Sequence, residues 1–298
     1  MAGQEVIVLG GTGFLGRRVV RKLQEHGYAV CVATRSPEKL SQLSSHWDRP
    51  VRPVQIDLSD PDVLDRALRG ARAVVNCIGL YVETRTETFR DVHVDAARRI
   101  AEIVKAAGDC QLIQISGIGV CRDSPSAYVR ARAEGEEVLR RICPEATILR
   151  PSVMFSRDGA FFGDLDAILR RLPVVPLFGD GSTRLQPVYV GDVAEAICRV
   201  LDRDGATGKV YELGGPEIFT YREILMRLAA RAGRRRLFLS VPFMAWRALA
   251  ILADLLPNPP LTPGQVALMQ KDNLVGDAVA TFADLSIAPR SATAMNLL

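Results

Sequence analysis

Seven residues, Gly10-Gly11-Thr12-Gly13-Phe14-Leu15-Gly16, separate the apolar run Glu5-Val6-Ile7-Val8-Leu9 from an amphipathic stretch that follows at once. That order predicts strand, glycine turn, helix. Glycines let the backbone turn sharply and let a pyrophosphate reach main-chain N–H groups at a helix N-terminus, where the dipole favours negative charge. A lone glycine pattern also serves plain strand-to-helix turns. Here both flanks fit a dinucleotide-binding unit, which makes Gly10, Thr12, Gly13, Phe14, Leu15 and Gly16 cofactor-binding candidates.

From residue 5 to about 152, apolar strand runs alternate with helix-period segments, the pattern of a parallel sheet covered by helices. The expected strands after the first are Ala29–Thr34, Val54–Asp57, Ala73–Gly79, Leu112–Ser116 and Thr147–Pro151. Asp60-Pro61 supplies an N-cap and a first-turn proline for one helix, and another is expected over much of 86–107. Beyond this the alternation loosens and Pro and Gly become frequent; Thr220 to Glu223 and Thr262 to Gln265 read as capping boxes. The predicted fold is α/β: a Rossmann-type doubly wound parallel sheet over 1–155, with a smaller C-terminal lobe over 156–298 that carries sheet-completing strands and an apolar helix.

A chain of 298 residues with 48% hydrophobic residues is ample for such a core. The net charge of +4 is small for this length, and no segment interleaves basic and aromatic residues, so nothing points to nucleic acid. Arginine dominates the basic residues, lysine standing only at Lys22, Lys39, Lys105, Lys209 and Lys271, a bias that fits genome composition better than function. Cys31, Cys77, Cys110, Cys121, Cys143 and Cys198 are scattered without metal-ligand spacing and read as small core residues in a reducing compartment. The first strand begins almost at Met1 and no uncharged run matches a bilayer, so the expectation is a cytoplasmic protein.

Folds of this kind that prefer NAD usually end the second strand on a carboxylate, which accepts hydrogen bonds from the ribose 2′-OH. Thr34-Arg35 stands there instead. A guanidinium can grip a 2′-phosphate through a charge-assisted fork, so Arg35 favours NADP(H) over NAD(H), with Arg17 or Arg18 as a second ligand. The bland alternative is a solvated arginine in an arginine-rich chain. Asp57 and Leu58 are placed to meet the adenine edge, although Asp57 is equally suited to capping the next turn; Cys77, Ile78 and Gly79 are placed to line the adenosine ribose.

The glycine pattern, the segment from Ser126 to Glu136 around Tyr128, and Leu149-Arg150-Pro151 together resemble the extended and atypical short-chain dehydrogenase/reductases. Gln186 to Val193 and Arg236 to Pro242 are similar to the branch that contains the NADPH-carrying accessory subunit of respiratory complex I and its bacterial homologues, and more distantly proteins of quinone biosynthesis and photosystem assembly. The resemblance implies a catalytic tyrosine at Tyr128 and adds Tyr128, Arg132 and Pro151 to the cofactor-binding set. In active relatives a lysine four residues after the tyrosine lowers its pKa and holds the nicotinamide ribose; Arg132 occupies that place. Arginine keeps the charge but takes no part in a proton relay at ordinary pH. The strand-five hydroxyl aligns with Ile118, or with Ser116 if the register slips by two. His93 stands where active relatives often carry asparagine, and reads as a satisfied helix histidine or a relay.

Pro242 to Leu256 is apolar nearly all round, with only Arg247 and Asp254 charged. It is too short to span a bilayer, and is either a buried helix of the lobe or one lying on a partner or a membrane surface, where Arg231, Arg234, Arg235 and Arg236 suit anionic lipid or an acidic protein. The resulting expectation is a protein that holds NADP(H) mainly as a structural or sensing ligand in a respiratory or quinone-linked assembly. Its rival is an active NADPH-dependent oxidoreductase or epimerase that uses Tyr128 and Arg132 on an apolar, quinone-like substrate.

Overall fold

In the computed structural model, which describes residues 5–38, 40, 47, 49–253, 256 and 261–298, the N-terminal half runs β1 (Glu5–Leu9), α1 (Gly16–Glu25), β2 (Ala29–Thr34), β3 (Arg52–Gln55), α2 (Pro61–Leu68), β4 (Ala73–Asn76), a π-helical turn (Asp91–Asp95), α3 (Ala96–Ala107), β5 (Gln111–Ile115), α4 (Ala127–Ile142) and β6 (Thr147–Pro151). The C-terminal half adds β7 (Met154–Ser156), β8 (Gly159–Ala160), α5 (Phe161–Arg171), β9 (Val174–Phe178), β10 (Arg184–Leu185), β11 (Val188–Tyr189), α6 (Val190–Asp202), β12 (Val210–Leu213), β13 (Phe219–Thr220), α7 (Tyr221–Arg231), β14 (Leu237–Val241), α8 (Phe243–Ala253) and α9 (Pro263–Leu268).

Seven strands form one parallel sheet in the order β3-β2-β1-β4-β5-β6-β12, a Rossmann-type arrangement whose order reverses beside β1. Period-two alternation feeds both faces. Val6 and Val8 of β1 pack with Val19, Val20, Val193 and Ile197 beneath α1 and α6, whereas Ile7 and Leu9 pack with Leu64, Leu68, Ile100 and Leu139 beneath α2, α3 and α4. Asp60 accepts from the Asp62 and Val63 amides with Pro61 in the first turn, and capping boxes close at Thr220 with Glu223 and at Thr262 with Gln265. Burial pushes the Cys31, Cys110 and Cys143 thiols up to about 11, as expected of inert core residues.

Two expectations shift. The third strand lies two residues earlier than the apolar pattern suggested, and holds Pro53; β3 is the sheet edge, where a missing N–H goes unneeded. The helix expected over 86–107 opens with the π-helical turn at Asp91–Asp95. β12 and α6, drawn from beyond residue 155, complete and cover the central sheet, β12 pairing along β6 from Val210 with Ile148 to Leu213 with Pro151. The rest of the C-terminal half has its own core, in which Phe155, Phe162, Leu177 and Leu225 meet.

The apolar segment is not buried. On α8 only Ala250 is inside; Met244 is 76% exposed and Leu252 65%, and the neighbouring β14 exposes Leu237 at 71%. Its sequence was uniformly apolar, which gave no face to choose, and the lobe core closes without it. Asp254 lies outside the described residues. Among the described residues no helix is long and apolar enough to cross a membrane.

Candidate nucleotide and active site

The turn after β1 is built on the Gly10 carbonyl, which accepts from the Gly13 amide at 3.0 Å, while the Gly13 carbonyl accepts from the Arg17 amide at 3.1 Å. A Cβ on Gly16 would lie 2.1 Å from the Gly10 oxygen, so only glycine lets α1 start this close to the turn. Beside it, at the carboxyl ends of β1, β2 and β4, opens a cavity of about 280 Å³. Of the sequence-derived candidates, Gly10, Thr12, Gly13, Arg35, Leu58, Cys77, Ile78 and Gly79 line it. This is the crevice at the point where strand order reverses, where open α/β sheets take their ligands.

Other candidates lie elsewhere. Leu15 is buried in the core below the turn, and Phe14 carries the Arg18 guanidinium 4.3 Å above its ring. Arg17 pairs with Asp158 at 2.7 Å, and Arg18 pairs with the same carboxylate. Both arginines thus tie α1 to the segment between β7 and β8 and leave Arg35 as the arginine lining the cavity. The Asp57 carboxylate accepts from the Ser59 hydroxyl at 2.6 Å and from its amide at 2.8 Å, bonds that hold it below its ordinary range. It caps the turn, the alternative that the spacing had left open, and does not line the cavity.

α4 carries Tyr128 and Arg132 one turn apart. The Tyr128 ring stacks on Tyr81 at 5.4 Å and meets Phe89 at 5.7 Å and His93 at 5.5 Å edge-on; the Arg132 guanidinium carbon sits 5.0 Å from its centre. Burial raises the Tyr128 phenol well above its ordinary value, and the Arg132 charge offsets only part of that. His93 bonds the Leu80 carbonyl at 2.9 Å through Nε2; burial first, then Arg132, pushes its pKa down to about 4, so the imidazole is neutral.

Arg132 is 7% exposed, and its Nε and Nη1 have no hydrogen-bond partner among the described residues; the Ser116 and Ser126 hydroxyls, also buried, have none either. Leaving a buried guanidinium unpaired costs more than a neutral group would, so orphaned donors here fit an anionic or hydroxyl-rich ligand. Together with the glycine turn at the far end, they fit a nicotinamide dinucleotide laid across the strand ends. Ser116 closes β5 with its amide bonded to the Leu149 carbonyl, while Ile118 donates from its amide to the carbonyl of the buried Pro151. A second cavity, about 640 Å³, lies against Tyr128 between the 81–89 segment and α9, with Arg85 and Arg247 on its wall.

Sequence reasoning passed over Tyr81, Glu87 and Phe89. Tyr81 sits in a segment without periodicity or motif and Glu87 and Phe89 at the very start of the stretch expected as helix, and they join the site because this segment folds back over the strand ends. Glu87 lines the smaller cavity and pairs with Arg35 at 2.5 Å.

Against known proteins, residues 6–214 match the model of the NAD dependent epimerase/dehydratase family. Mitochondrial NADH dehydrogenase (ubiquinone) 1 alpha subcomplex subunit 9 of Arabidopsis thaliana is 34% identical over 97% of this chain and 75% of its own. A ceramide reductase of Caulobacter vibrioides is 31% identical over 75% of this chain and 73% of its own. An NADPH-dependent quinone oxidoreductase of Escherichia coli, solved with NADPH, shares the fold with a TM-score of 0.77 at 21% identity, over 97% of this chain and 98% of its own. With its glycine turn, strand order and match across the whole sheet, the chain belongs to the NAD dependent epimerase/dehydratase family, whose members bind nicotinamide dinucleotides.

Proposed function

We propose that the protein binds NADP(H) across the strand ends and holds it as a structural or sensing ligand within a respiratory or quinone-linked assembly, on the cytoplasmic side and in peripheral contact with the membrane. The observation that carries the reading is Arg132, a buried guanidinium with two nitrogens left for a ligand. Arg35 supports NADP(H) over NAD(H), since among the described residues it is the cation of the smaller cavity's wall. Arg132 in the place of the lysine of active relatives, with Ile118 aligned to the strand-five hydroxyl, supports retention over turnover. The assembly is suggested by the 34% identical NADH dehydrogenase subunit, and the membrane contact by the exposed apolar residues of β14 and α8 beside Arg235 and Arg247.

A second reading, an active reductase for an apolar or quinone-like carbonyl substrate, is favoured by the 640 Å³ cavity against Tyr128. Bound NADPH would supply a hydride. Tyr128, kept protonated by burial, would donate its Oη proton to the substrate carbonyl oxygen, and Arg132 would stabilise the phenolate left behind until solvent restores the proton. Release of nucleotide from the denatured protein, followed by assays of turnover over quinones and nucleotide sugars, separates the two. We expect NADP(H) retained through dialysis and no turnover; turnover abolished by Tyr128→Phe would sink the structural role.

A further inference from the structure

We propose that Glu87 is a specificity-determining residue of the nucleotide site: its carboxylate competes with a 2′-phosphate for Arg35 and accepts the 2′-OH of an unphosphorylated dinucleotide. The proposal rests on the reading that Arg35 faces the 2′ position.

Arg35 follows directly on β2, and Glu87 arrives 52 residues later from the segment over the strand ends; both line the 280 Å³ cavity together with Gly10, Gly13 and Ser36. The Arg35 side chain is 67% exposed and Glu87 27%, so the carboxylate is the more enclosed partner of the pair. The surrounding segment is tied in place. Thr84 Oγ1 accepts from the Glu87 amide at 3.0 Å, the Thr84 amide donates to the Glu87 carbonyl at 2.9 Å, and Glu83 Oε1 accepts from the Phe89 amide at 2.7 Å. Asp57 lies within electrostatic reach of Arg35 as well. Arg35 therefore already has Glu87 as its partner before any ligand arrives, while Asp57 is answered first by the Ser59 bonds and by Arg99.

A 2′-phosphate brings a charge of roughly −1.5 to −2. To fork onto Arg35 it must displace Glu87 and then stay beside the released carboxylate, a like-charge contact. A ribose hydroxyl meets no such conflict. It donates to Glu87 as it would to the acidic residue that ends the second strand in NAD-preferring folds, and Arg35 keeps its partner. Glu87 thus narrows the preference for NADP(H) that Arg35 alone would give.

Fluorescence titration of the full chain with NADPH and with NADH, at one fixed ionic strength, tests this. Glu87→Gln keeps the shape and an acceptor oxygen but removes the charge; NADPH affinity should rise about three- to tenfold while NADH affinity holds or falls. Glu87→Asp, which draws the carboxylate back by one methylene, should move the ratio the same way by less, and stands in if the glutamine variant misfolds. Arg35→Ala separates the two layers. If it weakens both nucleotides equally, the Arg35 reading fails and takes this proposal with it. If it weakens NADPH selectively while neither Glu87 variant changes the NADPH to NADH ratio, the proposal for Glu87 alone is overturned. No binding of either nucleotide to the unaltered chain overturns both.

Discussion

His93 shows what one buried ring does to the acid limb of stability. Burial and the nearby Arg132 charge push its pKa down from 6.5 to about 4, against the raising influence of the Leu80 carbonyl. Between those values the unfolded chain binds a proton that the native chain refuses, so stability falls as pH drops through this window and is unaffected by this group above about 7. The full shift corresponds to about 3 kcal/mol, an upper value for a ring that keeps one polar contact. Urea unfolding at pH 7.5 and pH 4.5 should show the loss, and His93→Gln should remove most of the difference; an equal loss in the variant assigns it to other groups. Residues of this kind were legible to differing degrees. Tyr128 and Arg132 stand out through the family resemblance, whose motif is local, two residues one turn apart on a single helix. Glu87 and Tyr81 do not, since their roles come from a loop whose path no local rule fixes. Asp57 was ambiguous by nature, a carboxylate after a strand serving either a turn or a ligand.

At the scale of elements, strand order and glycine turn were readable because apolar period and backbone permissiveness are both local. The π-helical turn was not. The periodicity through 91–107 is continuous, and the turn makes sense only from across the fold, where α4 presses so near that a Cβ on Gly135 would sit 1.9 Å from the His93 carbonyl oxygen. α8 was equally opaque, because a segment apolar all round carries no directional signal. The structure leaves Met244, Leu249, Ile251 and Leu252 of α8 exposed, as it does Leu237 and Leu239 of β14, more apolar surface in one stretch of chain than soluble monomers usually keep without a use. With Arg235 and Arg247 exposed in the same stretch of chain, these residues suit an anionic bilayer surface. Vesicles containing phosphatidylglycerol should carry the protein in flotation, those of phosphatidylcholine alone should carry less, and Met244→Glu with Leu252→Glu should lower binding at least tenfold, roughly the cost of two inserted charges. Flotation unchanged by the double variant would show that these residues serve another purpose.

For the whole molecule, the boundary near residue 155 marks a change of sequence texture and not a joint between separable parts. The N-terminal segment lacks β12 and α6, so alone it would expose the sheet face that Val193, Ile197 and Tyr211 cover. Polar ties cross the same boundary. Arg150 binds Glu136 through two nitrogens, at 2.6 and 3.1 Å, and reaches Glu212 of β12, which in turn accepts from the Gly276 amide. Asn273 accepts from the Ser152 hydroxyl at 2.6 Å and from the Val153 amide at 3.2 Å. Breaking the chain there removes Glu212, one of the two carboxylate partners of Arg150, together with the Asn273 contacts. The expected behaviour is a single unfolding transition by both calorimetry and circular dichroism, and a fragment 1–155 that remains unfolded or aggregates. Nucleotide then acts on the whole. Free NADPH at a hundred times its Kd adds about 2.7 kcal/mol to the unfolding free energy. At an unfolding entropy of about 2.1 cal/mol/K per residue, or about 0.6 kcal/mol/K for 298 residues, the one transition should move up by roughly 4–5 °C. Two resolved transitions, only one of them moved by NADPH, or a folded 1–155 fragment that binds nucleotide, would show instead that the lobe is an appendage and that the sheet closes without it.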